Sequence, residues 1–244
     1  MKERPILFSG EMVRAILDGR KTQTRRAMKP QPTVPVSHFR YIGYEKATGR
    51  GDWQACDKSG KPIHAFHKSP FVTEIAQCPY GKPGDRLWVR ETFGYGARPC
   101  PFEGGVDGIE YRADEAYIDD VENLPLYTPP TPEDFCYGDV VGGGWKPSIH
   151  MPRWASRIDL EITAIRVERL QDISADDARS EGIQTWIDSF KDGPRYHENG
   201  QLDAYPVSAF SRLWKSINGA DSWDANPWVW VVEFRVIEPG EVAA

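Results

Sequence analysis

The polar run Arg20-Lys-Thr-Gln-Thr-Arg-Arg26 places an amine, two hydroxyls and three guanidiniums directly after a glycine, where a core is a poor destination for them. Residues 1–30 as a whole carry eight basic side chains against three acidic ones, which suits a local anion site. Further on, Arg86 and Arg90 flank Trp88 at strand spacing. They could reach a phosphate or stack on a base, or simply form a solvated face. The stretch Trp145-Lys-Pro-Ser-Ile-His-Met-Pro-Arg-Trp154 sets Lys146, His150 and Arg153 between two tryptophans in a proline-restricted loop. Cations interleaved with aromatics are what unstacked bases bind, whereas tryptophan on its own is more often a core residue, so Trp154 carries both readings.

Other chemistry is thin. Cys56, His64, His67 and Cys78 have the side chains for zinc, but at irregular spacing and without a CxxC pair, so no metal is expected. His38 and His197 lie in polar loops and are expected to do nothing chemical. Glycine-rich phosphate loops, GxSxG elbows and HExxH helices do not occur, and no cofactor is expected.

The chain that must position these groups has 244 residues, 40% of them hydrophobic, and nine tryptophans, enough to bury the core of one domain with elaborations. Its net charge of −6 disfavours a surface that coats long nucleic acid, which needs a basic excess. Cys56, Cys78, Cys100 and Cys136 are too sparse for a disulfide scaffold and fit a reducing compartment. The N-terminal MKERPILFSGEMVRAILDG breaks its apolar run with Ser9, Gly10 and Glu11, so it reads as neither signal peptide nor membrane span; a cytoplasmic location without membrane contact is expected.

Punctuation divides the chain. Pro5 to Phe8 reads as a short buried strand; Ser9 caps a helix with the apolar face Met12, Val13, Ile16 and Leu17, which Gly19 ends. From Lys29 to about Tyr80 no period is sustained, which predicts an inserted excursion with one hairpin at most. Pro83-Gly-Asp85 launches a strand with Leu87 and Val89 on one side and Arg86, Trp88 and Arg90 on the other. A second excursion follows from 94 to about 145. Residues 158–170 then alternate as one or two strands, Ser174 opens a helix that carries Ala178 and Glu181, and Gly182 stops it. After a polar segment from 184, Ala209, Phe210, Leu213, Trp214 and Ile217 share a helix face, and Trp228 to Val236 forms a last strand. Strands from both ends must share a sheet, which predicts one α+β domain over 1–244.

The order of strand, helix, Gly-Arg-Lys-Thr-x-Thr-x-Arg, Pro-Gly-Asp-x-Leu before a strand, and a helix with Ala-x-x-Glu-Gly resembles the ASCH domain of the PUA-like superfold. Proteins encoded by tailed phages and prophages are similar over ILFSGEMVRAILDGRKTQTRR, CPYGKPGDRLWVRET, WKPSIHMPRWASRI and SWDANPWVWVVEF. The resemblance implies a small mixed β-barrel with flanking helices, built from segments 5–29, 80–93, 146–183 and 223–237. Long insertions at 30–79, 94–145 and 184–222 lie outside it. It also implies a cleft with RNA-related roles in a bacterial host: a small bacterial relative hydrolyses acetylcytidine, and others bind RNA or DNA or act as ribonucleases. The catalytic set of the amidohydrolase corresponds here to Lys21, Thr24 and Glu181.

Two arrangements of that set make chemical sense. A Lys21 amine desolvated among Arg20, Arg25 and Arg26 would have its pKa lowered and could deprotonate Thr24 as a nucleophile. A Glu181 carboxylate against Lys21 would instead keep the amine charged for an oxyanion and act as the base itself. A regular strand places residues 21 and 24 on opposite faces, so the segment must bend if both serve one cleft. Alternatively Lys21 and Glu181 form an ion pair tying helix to strand, or the set contacts a ligand without catalysis. Three functions follow: hydrolysis of an amide-type bond on a modified nucleoside; recognition of a nucleoside or a single-stranded RNA or DNA segment by a basic groove from Arg25 and Arg26 toward Arg153; or an interaction module whose insertions hold a host protein.

Overall fold

The computed structural model describes residues 1–44, 50–68, 71–73, 75–98, 106–118, 145–183 and 204–238; Cys100, Cys136 and His197 lie outside them, as do most of the second insertion and the polar segment after residue 183. The described residues form a mixed α+β structure, rich in sheet and with few helices. Along the chain the elements are β1 (Glu3–Leu7), α1 (Gly10–Leu17), β2 (Gln23–Ala27), β3 (His38–Tyr44), β4 (Gly51–Cys56), β5 (Phe66–Lys68), β6 (Phe71–Thr73), β7 (Ile75–Gln77), β8 (Arg86–Arg90), β9 (Phe93–Arg98), β10 (Val106–Tyr111), β11 (Tyr117–Ile118), β12 (Asp159–Arg169), α2 (Ala175–Ser180), α3 (Ala204–Asn218) and β13 (Trp228–Val236). Among these residues no helix is long and apolar enough to cross a membrane. They group into two compact units, the first comprising 1–2, 19–85 and 162–235, the second 3–18, 86–161 and 236–244.

In the first unit β13 lies between β12 and β2, antiparallel to β2 with Val231 opposite Arg25. Its near-continuous apolar run is the mark of a strand covered on both faces. Val229 and Val231 pack with Leu170, Ile173, Ala178, Phe210 and Trp214, the cluster that seats α2 and α3. Trp228 and Trp230 alternate to the other face, where they meet Phe39 and Trp53 edge-on at ring distances of 4.9 and 6.1 Å. Those two rings come from a second sheet, ordered β3-β4-β7. The sequence predicts at most one hairpin here, yet the region holds this sheet and the β5-β6 pair as well. These strands carry no legible period, because β4 is buried at nearly every position and three-residue strands are too short to show one. Ser174 caps α2 by accepting from the Asp177 amide at 3.0 Å, and Gly182, at φ +84°, ends it.

In the second unit β1 runs parallel to β8, with Pro5 opposite Trp88, and β8 pairs antiparallel with the start of β12. Leu87 and Val89 are fully buried on one side of β8. The excursion from residue 94 begins as a further sheet, β9-β10-β11. Phe93, Ile109, Tyr111, Met151 and Ala155 form its core, with Trp154 packed against it. Helix α1 is capped by Ser9 and buries Val13, Ala15 and Ile16.

Candidate functional site

Strand alternation decides what the polar run after α1 can do. Lys21, Gln23 and Arg25 project toward α2, and Lys21 makes an antiparallel bridge to Glu181 just past the helix end. The Lys21 amine donates to the Glu181 carboxylate at 2.8 Å and to the Glu181 carbonyl at 3.0 Å. The other carboxylate oxygen of Glu181 accepts from Arg25 at 3.2 Å. Arg25 also bonds Glu168 and pairs with Asp177 at 3.1 Å, while Gln23 donates to the Asp177 carbonyl at 2.9 Å. Arg166 joins Glu168, Asp177 and Glu233 to the same cluster. Lys21 and Glu181 are 2% and 4% exposed, so the pair is closed to solvent.

Burial pushes the Lys21 amine below its ordinary value, against the opposing pull of Glu181. Asp177 is raised by burial, but hydrogen bonding from Gln23 and the charges of Arg25 and Arg166 outweigh this and leave it below its ordinary value. Three cations, Lys21, Arg25 and Arg166, face four carboxylates, Glu168, Asp177, Glu181 and Glu233, so the cluster has no positive charge left for an anion. Both oxygens of Glu181 are engaged within the cluster. Thr24 is out of phase: it pairs with Val232 and turns to the face of Trp228 and Trp230. Arg26 shares that face, half-buried, and its charge opposes the rise that burial imposes on the Tyr80 hydroxyl. Arg20 reaches back to the Gly182 carbonyl at 3.4 Å. The structure therefore brings Lys21, Arg25 and Glu181 together and leaves Thr24 and Arg26 on the opposite side of the strand.

A second group of candidates meets in the second unit. Arg86, Trp88 and Arg90 share the face of β8 opposite Leu87 and Val89. The Arg90 guanidinium carbon lies 4.7 Å from the Trp88 ring centre, and that of Arg153, from the loop before β12, lies 5.7 Å from it. Arg90 donates to the Ile149 carbonyl at 3.2 Å. Arg153 is tied to Glu3 at 3.1 Å and to Asp159 at 2.7 Å, and burial raises the Asp159 carboxyl against the pull of Arg153. Arg90 Nε and Arg153 Nη1 are buried without a hydrogen-bond partner, as suits guanidiniums held against an aromatic face. The loop is pinned by Lys146, whose backbone exchanges hydrogen bonds with Phe93. It leaves His150 exposed, with Trp145 and Ile149 41% and 57% exposed.

Two groups in this unit carry no sequence signal of their own. Arg112 lies with its guanidinium carbon 5.9 Å from the Trp145 ring centre. Arg157 stacks on Tyr111 at 4.0 Å and joins Glu91 and Asp114. Burial pushes Glu91 up, against the hydrogen bond and charge of Arg157. Their partners lie more than thirty residues away in the chain, which spacing cannot reveal. Among the described residues no cluster of three or more metal-ligating side chains occurs, and Cys56 and Cys78 are buried. Set against protein-family models, curated proteins and solved structures, the chain shows no match.

Proposed function

We propose that this protein is an ASCH-type, PUA-like module that recognises a nucleoside or a segment of single-stranded RNA or DNA in the cytoplasm. The observation that carries the reading is the stacking of Arg90 and Arg153 on Trp88, beside a loop that leaves Trp145 and Ile149 open to solvent. Rings and guanidiniums offered together suit a splayed base and its phosphate. The net charge of −6 fits a local contact rather than a coat on long polyanions. The ASCH assignment is supported by where its motifs lie: Gly-Arg-Lys-Thr at the exit of α1, Pro-Gly-Asp ahead of β8, and Ala-x-x-Glu-Gly closing α2. Hydrolysis by Lys21, Thr24 and Glu181 stays outside this reading, because Thr24 faces away from the other two and both Glu181 oxygens are bonded within the cluster.

The test is fluorescence anisotropy of a labelled short single-stranded RNA, and of its DNA counterpart, titrated with the full chain at low and moderate salt. Binding that weakens with salt is expected, and Arg90→Ala and Trp145→Ala should each weaken it by about five- to a hundredfold, the range of losing one base-stacking contact. Absence of binding at low salt, or variants that bind as the native chain does, would overturn the reading.

A further inference from the structure

The first unit contains a cavity of about 340 Å³ whose walls are chiefly aromatic: Tyr41, Tyr44 and Trp53, closed by Gly51, Lys82 and Pro83. This volume is at the lower end of the range of small-ligand sites, roughly 300–1,000 Å³. The tyrosines are three residues apart, so strict alternation would send them to opposite faces of β3. A β-bulge prevents this. Tyr41 pairs with Trp53 and Tyr44 with Gly51, but Ile42 and Gly43 together oppose Asp52, with Gly43 at φ +125°. The inserted residue turns both tyrosines into the same cavity, where they stay 47% and 50% exposed while Trp53 forms the buried floor. The Tyr41 and Trp53 rings are 5.3 Å apart, inclined at 54°.

Gly51 keeps the space open. A Cβ there would stand 3.3 Å from the Tyr41 ring, tighter than side chains ordinarily pack, with Trp53 Nε1 at 3.4 Å and the Gly81 carbonyl oxygen at 3.7 Å. Those two polar atoms, an indole N–H donor and a backbone acceptor, border the cavity together with the Lys82 amine, which lies 4.8 Å from the Tyr44 ring centre. Flat π-walls with a few convergent donors and an acceptor match the edge of a heteroaromatic ring. A cationic guest such as a methylated amine is disfavoured, because Lys82 already occupies the cation position over Tyr44 and would repel it.

We infer that this cavity is a further base-binding site, in addition to the one proposed in the second unit: a neutral nucleobase lies against Tyr41 and Trp53, with its polar edge toward Trp53 Nε1, the Gly81 carbonyl and Lys82. The inference rests on the nucleic-acid reading proposed above and adds to it a pocket that takes a single base.

The experiment is isothermal titration of the full chain with each of the four free ribonucleosides, alongside the single-strand anisotropy measurement, for the native protein and for Tyr41→Ala and Tyr44→Ala. Both tyrosines are half-exposed, so the variants are expected to fold, which circular dichroism checks. At least one nucleoside should bind, and each variant should weaken it by about fivefold or more, the loss of a stacking contact. If strands bind but nucleosides do not, or if nucleosides bind the variants as tightly as the native chain, the cavity is not a base site and recognition by the second unit stands. If neither strands nor nucleosides bind, both readings fall together.

Discussion

The two cation clusters are neutralised in different ways. In the first unit Lys21, Arg25 and Arg166 are met by four carboxylates in a closed site under α2. In the second, Arg90 is held by a tryptophan face and one carbonyl, while Arg153 shares that face and pairs with Glu3 and Asp159. A buried charge is retained only when opposite charges and hydrogen bonds replace water, so the motif-bearing cluster is committed to joining β2 with α2. A guanidinium on a ring keeps its charge and part of its donor set for a ligand. The residues that stand out most in the sequence are therefore those the fold consumes.

The largest effect that could break this contrast is on stability. Glu181→Ala should leave Lys21 and Arg25 buried with one counter-charge fewer and cost about 3–5 kcal/mol, read from the midpoint of urea unfolding at constant slope. A variant as stable as the native chain would mean that the cluster is not what secures α2. Arg90→Ala sharpens the contrast from the other side. It removes a cation–π contact and a hydrogen bond to the Ile149 carbonyl, so stability should change by only about 1–2 kcal/mol while strand binding falls by about five- to a hundredfold. Equal losses of stability in the two variants would erase the distinction.

How far these sites could be read in advance follows from the range of the forces involved. Caps and stops are local: Ser9, Gly19, Ser174 and Gly182 mark the ends of α1 and α2 where the structure has them. The alternation of β13 and the phase difference between Lys21 and Thr24 were equally legible, and the segment does not bend to cancel the latter. What stayed hidden depends on pairing across the chain. Arg25 meets Glu168, 143 residues away in sequence, and nothing in the spacing joins them. Tyr41 and Tyr44 share a face only because of a bulge, and nothing in their spacing announces an inserted residue. Arg153 reaches Trp88 because a proline-bounded turn at Arg153–Ala155 presents it there.

The smallest effect expected is in the acid limb of unfolding, and it has opposite signs at Asp177 and Glu91. Asp177 sits below its ordinary value of 3.8, so ionised Asp177 stabilises the folded chain above about that pH. The contribution is lost as pH falls through the lower folded value. Glu91 behaves oppositely. Its folded value is raised above the ordinary 4.5, so what it contributes is fully present below that pH and is lost as pH rises through the folded value. Asp177→Asn should therefore flatten the loss of stability below about pH 4, and Glu91→Gln should not, as measured by urea midpoints across the acid range. Asp177 is only partly buried and solvent screens it, so the change in slope will be modest. An acid limb unchanged in Asp177→Asn would show that its partners Gln23, Arg25 and Arg166 do not depend on the carboxylate charge, and that the first cluster is held by packing rather than by ions.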